Sequence, residues 1–277
     1  MTDPLSIIAL GAAVGGAAGK FTEKTWEIGQ RWLSNRFAEH TEESKTRARK
    51  NAAQFVMELS KCIAKFEQRG CIASSAVEHE AQQPQFTVTL QNAIIRAAQT
   101  NEHGKHALLA RLIAERLASK SESVFALASQ MACDAVALAT PRQLELLAMC
   151  SFLEDCRPRD LVDDPCKWLD AQLRLFTDFE FYEIDALHLM SLSCVSFERR
   201  EFGNLAAILW MKFNPAHSYL GFEFEMFSQA ENFSWLQVAW DLGLGGVHLT
   251  SVGALVGALV HDKLRGFDSE LPSRWSA

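Results

Sequence analysis

The apolar residues of the first half of the chain recur with the period of a helix. From Glu42 to Arg69 the set Ala52, Phe55, Val56, Leu59, Ile63 and Phe66 keeps one face over several turns, and Gly70 is placed to end that helix. Upstream, Trp26, Gly29, Leu33 and Phe37 share a face. Around Pro84 the pattern restarts: Phe86, Leu90, Ile94 and Ala97 form one core face, and Leu109, Leu112, Ile113 and Leu117 the next. Ser121 is placed to cap a helix that carries Val124, Leu127, Met131, Ala135 and Leu138, and Thr140 followed by Pro141 starts another that runs to about Leu153.

The segment ahead of these helices has a different texture. Pro4 to Gly19 holds no charge, and Gly11, Gly15 and Gly19 recur every fourth residue, a stripe that permits close approach of a second helix. As a helix the run spans roughly 24 Å, short of the ~30 Å hydrocarbon core of a membrane, so it is not expected to cross one. Each glycine costs up to ~1 kcal/mol against alanine, a cost that packing, a partner or lipid must offset. The alternatives are a helix contact within the fold or an oligomer, contact with a membrane surface, or a loop.

Beyond Glu154 the pattern changes. The stretch to Pro165 is rich in proline and charge (Arg157, Pro158, Arg159, Asp160, Asp163, Asp164), which suits a linker. After it, period-two alternation at Phe179 to Tyr182 and at Phe222 to Met226 predicts strands between helices at Pro165 to Phe176, Asp185 to Cys194, Asn204 to Phe213 and Glu231 to Leu242. A glycine-rich turn (Gly243, Gly245, Gly246) then leads to an extended piece, Val247 to Leu249, and Thr250 caps a last helix bearing Leu255, Val256, Leu259 and Val260. The "Leu-Thr-x-x-Gly" step at Leu249, Thr250 and Gly253 is similar to the end of a winged-helix module. The expected organisation is mainly α: a glycine-spaced helix (1–20), a multi-helix domain (21–155), a smaller α+β winged-helix-like domain (165–265) and a tail (266–277).

Composition narrows the function more than the fold. An apolar share of 48% and a charged share of 22% fit a folded chain. A net charge of -7 makes nucleic acid an unexpected partner, because phosphate binding calls for a basic face. The one basic run, Lys45, Arg47, Arg49 and Lys50, reads as a solvated helix face. Seven scattered cysteines without a CxxC pair resemble reduced thiols, and Asp3 ahead of the apolar run argues against a secretory signal, so a cytoplasmic location is expected, with the N-terminus a possible peripheral contact with the inner membrane.

A search for chemistry finds little. Gly19-Lys20 is followed by Phe21 and has no strand ahead of it, so it is not a phosphate loop, and no GxSxG elbow exists. His103 and His106 stand three apart, as zinc ligands do, but lack a ligand-spaced partner and read as a solvated helix end. Cys62 and Cys133 read as core residues. No catalytic residue, metal or cofactor is assigned. The crowding of Phe222, Phe224, Phe227, Phe233, Trp235 and Trp240 has two readings: core packing, or an exposed aromatic surface for a protein partner, for which Phe222, Phe224, Phe227 and Trp235 are the candidates.

Two stretches carry a resemblance. "DPLSIIALGAAVGGAAGKFTEKTWEIGQRWL" and "LLARLIAERLASKSESVFALASQMACDAVALATPRQLELL" resemble a group of uncharacterised bacterial proteins similar in layout to the abortive-infection alpha proteins. The shared features are a small-residue N-terminal helix, a helix pair ending in the Thr140-Pro141 start, and the closing step from Leu249 to Gly253. The resemblance implies a non-enzymatic anti-phage defence component that binds a protein partner and acts through oligomerisation or membrane contact at Gly11, Gly15 and Gly19. The alternative is a winged-helix nucleic-acid-binding regulator, which the absence of Lys and Arg between Glu231 and Leu242 disfavours.

Overall fold

The computed structural model describes residues 16–70, 77, 79, 82–119, 123–158, 164–198, 203–213 and 224–266. Gly11, Gly15, Ser121, Phe222 and the tail from 267 onward lie outside the described residues. The described chain is mainly helical, with a small two-stranded sheet. It divides into two compact units, Met1–Leu138 and Ala139–Ala277.

The first unit contains α1 (Gly16–Arg36), α2 (Glu42–Gln68), α3 (Pro84–Gln99), α4 (His103–Ala118) and α5 (Val124–Leu138). α2 packs against α1, α3 and α4, and its predicted stripe from Ala52 to Phe66 is buried throughout. Thr41 caps its start by accepting the Ser44 N–H, Glu42 and Glu43 occupy the first turn where the helix dipole favours anions, and Gly70 turns left-handed at φ 73° just past its end. The basic run on this helix is a solvated face, with Lys45 paired to Glu42 at 2.8 Å and Arg47 to Glu43 at 3.2 Å. The core stripes predicted for α3 and α4 are buried as well. Two buried polar side chains close the C-terminal end of α3. Asn51 donates to the Ala98 carbonyl at 3.2 Å, and His106 Nε2 sits 3.1 Å and 3.0 Å from the carbonyl oxygens of Ala97 and Thr100. His106 is therefore a buried cap rather than a solvated helix end. Burial lowers its pKa below the ordinary histidine value.

The second unit contains α6 (Pro141–Asp155), α7 (Pro165–Leu173) with a 3₁₀ turn (Arg174–Phe176), α8 (Glu183–Ser191), β1 (Val195–Phe197), α9 (Leu205–Phe213), a 3₁₀ turn (Phe224–Gln229), α10 (Phe233–Asp241), β2 (Val247–Leu249) and α11 (Ser251–Leu264). β1 and β2 pair antiparallel, with Val195 opposite Leu249 and Phe197 opposite Val247. Among the described residues, two of the predicted strands do not form. Phe179 and Phe181 are buried between exposed Glu180 and Tyr182, but they lie in a connection with no pairing partner, and Phe224 to Gln229 coils into the 3₁₀ turn.

The stretch 154–165 does not separate the two units. α6 packs along α11 and Gln143 near its start bonds to Asp185 of α8, so α6 belongs to the second unit and the division falls at Leu138. Thr140 builds a full capping box. Its hydroxyl accepts the Gln143 N–H at 3.2 Å, and Gln143 Oε1 accepts the Thr140 N–H at 2.9 Å. The same Gln143 donates to Asp185 Oδ1 at 3.0 Å, and Asp185 is paired with Arg142 at 2.6 Å. Thr140→Ala is expected to lower the unfolding free energy by about 1 kcal/mol, read from urea denaturation. An unchanged midpoint would show that the box contributes nothing beyond solvent hydrogen bonds.

α11 is held to its neighbours by two glycines that carry a spacing of four. A Cβ at Gly257 would lie 2.3 Å from the Leu147 carbonyl oxygen, and one at Gly253 would lie 1.9 Å from the Cys194 carbonyl oxygen. Only a residue without a side chain lets the α11 backbone come so near to α6 and to the start of β1.

Candidate functional site

Two places in the described chain hold more than packing requires. The first is a face of α5. Val124 is 69% exposed, Leu127 57%, Met131 48% and Leu138 48%, while Phe125, Ala128, Ala132, Cys133 and Val136 fill the core on the other side. A helix apolar on all sides is ordinarily buried, so an exposed stripe of this kind is a candidate contact surface. Its one charged residue, Asp134, is half-buried and paired with Arg96 at 3.3 Å, which leaves the outer face neutral. The start of α5 is capped by Ser123, whose hydroxyl accepts the Ala126 N–H at 3.1 Å, two positions beyond Ser121.

The second place is a cavity of about 340 Å³ in the second unit. Its wall is apolar, built from Leu153, Ile208, Met211, Trp240, Leu244 and Val247, and Arg157, Lys212 and His248 supply its basic groups. α9 carries Lys212 into the unit, where the residue is buried. Its ammonium donates to the Phe152 carbonyl at 2.8 Å and to the Cys156 carbonyl at 3.0 Å, so it satisfies the last turn of α6. Burial pulls its pKa down to about 8, because a charged ammonium is costly away from water. The Phe152 ring centroid lies 5.4 Å from Nζ. Glu154, also on the cavity lining, accepts the Leu249 N–H at 3.0 Å and ties β2 to α6.

Behind this cavity lies an aromatic core. Phe152 contacts Trp168, Phe176 and His261, and the His261 ring stacks on Phe176 at 6.1 Å with an interplanar angle of 8°. Burial, with Arg265 and Lys212 adding repulsion, lowers the His261 pKa to about 4.

Of the residues proposed for a partner surface, Phe227 is fully buried against Phe213, with ring centroids 6.0 Å apart. Trp235 is half-buried, rests on Phe179 at 6.0 Å and donates to Asn232 at 3.3 Å. Phe224 opens the 3₁₀ turn. Phe227 and Trp235 thus serve the internal aromatic core, because the 3₁₀ turn and α10 direct their rings to it. Gly19 is buried within α1, next to Ala18, whose backbone N–H donates to Glu67 Oε2 at 3.3 Å.

Cys133, Cys150 and Cys194 are buried free thiols, and burial pushes the Cys133 thiol up to about 12 and the Cys194 thiol to about 11. Cys62, Cys156 and Cys166 are half-buried. Among the described residues no group of His, Cys, Asp and Glu gathers in the manner of a metal site, and no helix is long and apolar enough to cross a membrane.

A protein-family model matches residues 19–232, more than half of the chain. The chain belongs to that family. The match starts within α1 and ends just before α10, so it takes in the exposed face of α5 and Lys212, while α10, β2 and α11 lie beyond it. No curated protein and no solved structure matches the chain.

Proposed function

We propose that this chain is a non-enzymatic bacterial anti-phage defence component that acts by assembling with further copies of itself through its first unit. The observation that carries the reading is the neutral apolar face of α5. A chain of net charge -7 carries a net repulsion between its copies, and the uncharged stripe of Val124, Leu127, Met131 and Leu138 offers apolar area that is free to be covered. The glycine-spaced run supplies a second contact through Gly11 and Gly15, with a helix of a neighbouring copy or with a membrane surface, while Gly19 is buried within α1. The anti-phage setting rests on the resemblance in layout described above.

The double variant Leu127→Glu, Met131→Glu places charge on exposed positions and is expected to leave the fold intact. Light scattering should show the full chain as an oligomer and the variant with its dissociation constant raised at least tenfold, and plaque counts on a host expressing the chain should return to control levels with the variant. A chain that is monomeric at all concentrations, or a variant of unchanged mass, overturns the reading. A version that begins at Lys20, weighed with and without lipid vesicles, separates the glycine-spaced run from α5.

A second reading is favoured by one observation. The order α8, β1, α9, α10, β2, with the strands antiparallel, is similar to that of a winged-helix core, which supports this reading. α10, in the place of the recognition helix, contains no Lys or Arg, which supports a module that contacts protein rather than nucleic acid. Binding to a labelled duplex at low salt that weakens as salt is raised would favour the nucleic-acid alternative.

A further inference from the structure

The geometry points to the cavity beside Lys212 as a binding site for an amphipathic monocarboxylate, with its head at Lys212 and Arg157 and its apolar chain along Leu153, Ile208, Trp240 and Val247. The volume, about 340 Å³, falls at the small end of ligand pockets, and their usual design is the one seen here: an apolar wall with a few convergent polar groups.

The charge pattern selects the head group. An ammonium has three donors, and Lys212, one of the residues that line the cavity, engages two carbonyls, which leaves a third donor. No salt bridge to Lys212 exists among the described residues, and the carboxylates of Asp155 and Glu154 act on it only from a greater distance. Closing the end of α6 would explain the two carbonyl contacts. It does not explain why the lysine that makes them lines an apolar cavity alongside an exposed arginine. Two cations with Glu154 on the same lining suit a head of a single negative charge better than a phosphate, and a wall of six large apolar side chains requires a tail.

The inference is independent of the α5 face, because every residue it uses belongs to the second unit. The probe is decanoate, titrated into the full chain by calorimetry and followed by tryptophan fluorescence, with decanol and decyltrimethylammonium alongside. Decanoate is expected to bind at one site per chain, at least tenfold more tightly than decanol, while the cation does not bind. Affinity should rise about fourfold per methylene from hexanoate upward until the cavity is filled. Lys212→Met keeps the apolar stem and should weaken decanoate at least tenfold. Arg157→Gln, at an exposed position that does not threaten folding, should weaken it severalfold without affecting decanol. Equal affinity for decanoate and decanol, no dependence on chain length, or affinity unchanged in Arg157→Gln together with Lys212→Met overturns the inference. Failure of decanoate to bind at all does so as well.

Discussion

Gly257→Ala is expected to destabilise the second unit by about 2 kcal/mol, and Gly253→Ala by about 3 kcal/mol. The sign runs against helix propensity, since alanine in a helix interior is worth up to ~1 kcal/mol over glycine. Contact distance decides it. The new methyl at Gly257 would meet the Leu147 carbonyl oxygen at 2.3 Å and that at Gly253 the Cys194 carbonyl oxygen at 1.9 Å, and in both cases the obstacle is backbone, which cannot rotate aside. Forcing α11 away from α6 also loosens the contacts of Leu255 and Leu259, which are buried in the same helix. Urea denaturation followed by tryptophan fluorescence checks this, with Ala258→Gly, half-buried on the same helix, as the comparison that should cost about 1 kcal/mol from propensity alone. Gains in stability from both glycine variants would mean that the two helices separate without cost.

The second large effect concerns acid. His261 is buried between Phe152 and Phe176, its pKa is lowered to about 4, and its Nε2 has no hydrogen-bond partner among the described residues. Above pH 6.5 the imidazole is neutral both folded and unfolded, and it contributes no pH dependence. Between pH 6.5 and 4 the unfolded chain takes up a proton that the folded chain refuses, so stability falls as pH falls, by about 3 kcal/mol over the window. His261→Phe, which suits an aromatic cluster, should remove that part of the slope while the carboxylates retain theirs. Lys212 acts in the same sense at the other end of the scale: with its folded pKa near 8 against an ordinary 10.5, stability rises with pH between those values. Equilibrium unfolding at pH 6.5, 5 and 4 for both chains is the measurement, and identical slopes would show that His261 is not a buried neutral group.

The parts of the fold that were legible in the sequence are those set by local chemistry. Thr140-Pro141 and Thr250 both cap helices, because a side-chain oxygen three residues ahead of an orphan N–H needs no tertiary partner. The stripes of α2, α3 and α4 were legible because their largest residues all lie on one side. On α5 the large residues Val124, Leu127 and Met131 form the visible stripe, yet the buried side is the smaller set around Ala128 and Ala132. Periodicity identifies a stripe but not what it faces. The phenylalanines at 179 and 181 alternate in burial as a strand would, and pairing, which no local pattern encodes, is what they lack.

The glycine spacing was read at Gly11, Gly15 and Gly19, whereas the same spacing at Gly253 and Gly257 is where close backbone approach is seen among the described residues. The signal for the cavity was also present. Lys212 is the lone charge in the apolar run Leu205–Phe213, and such a residue either reaches solvent or has a buried task.

The seam between α6 and α11 also bears on how the chain is made. Neighbouring helices of the first unit pack against one another, so that unit is able to close while the rest of the chain is still being synthesised. The second unit begins with α6 and gains the helix that covers α6 only when Leu264 has left the ribosome. Until then the α6 surface around Leu147 and Ser151 waits uncovered, and transiently exposed surface of this kind is where a growing chain is prone to aggregate.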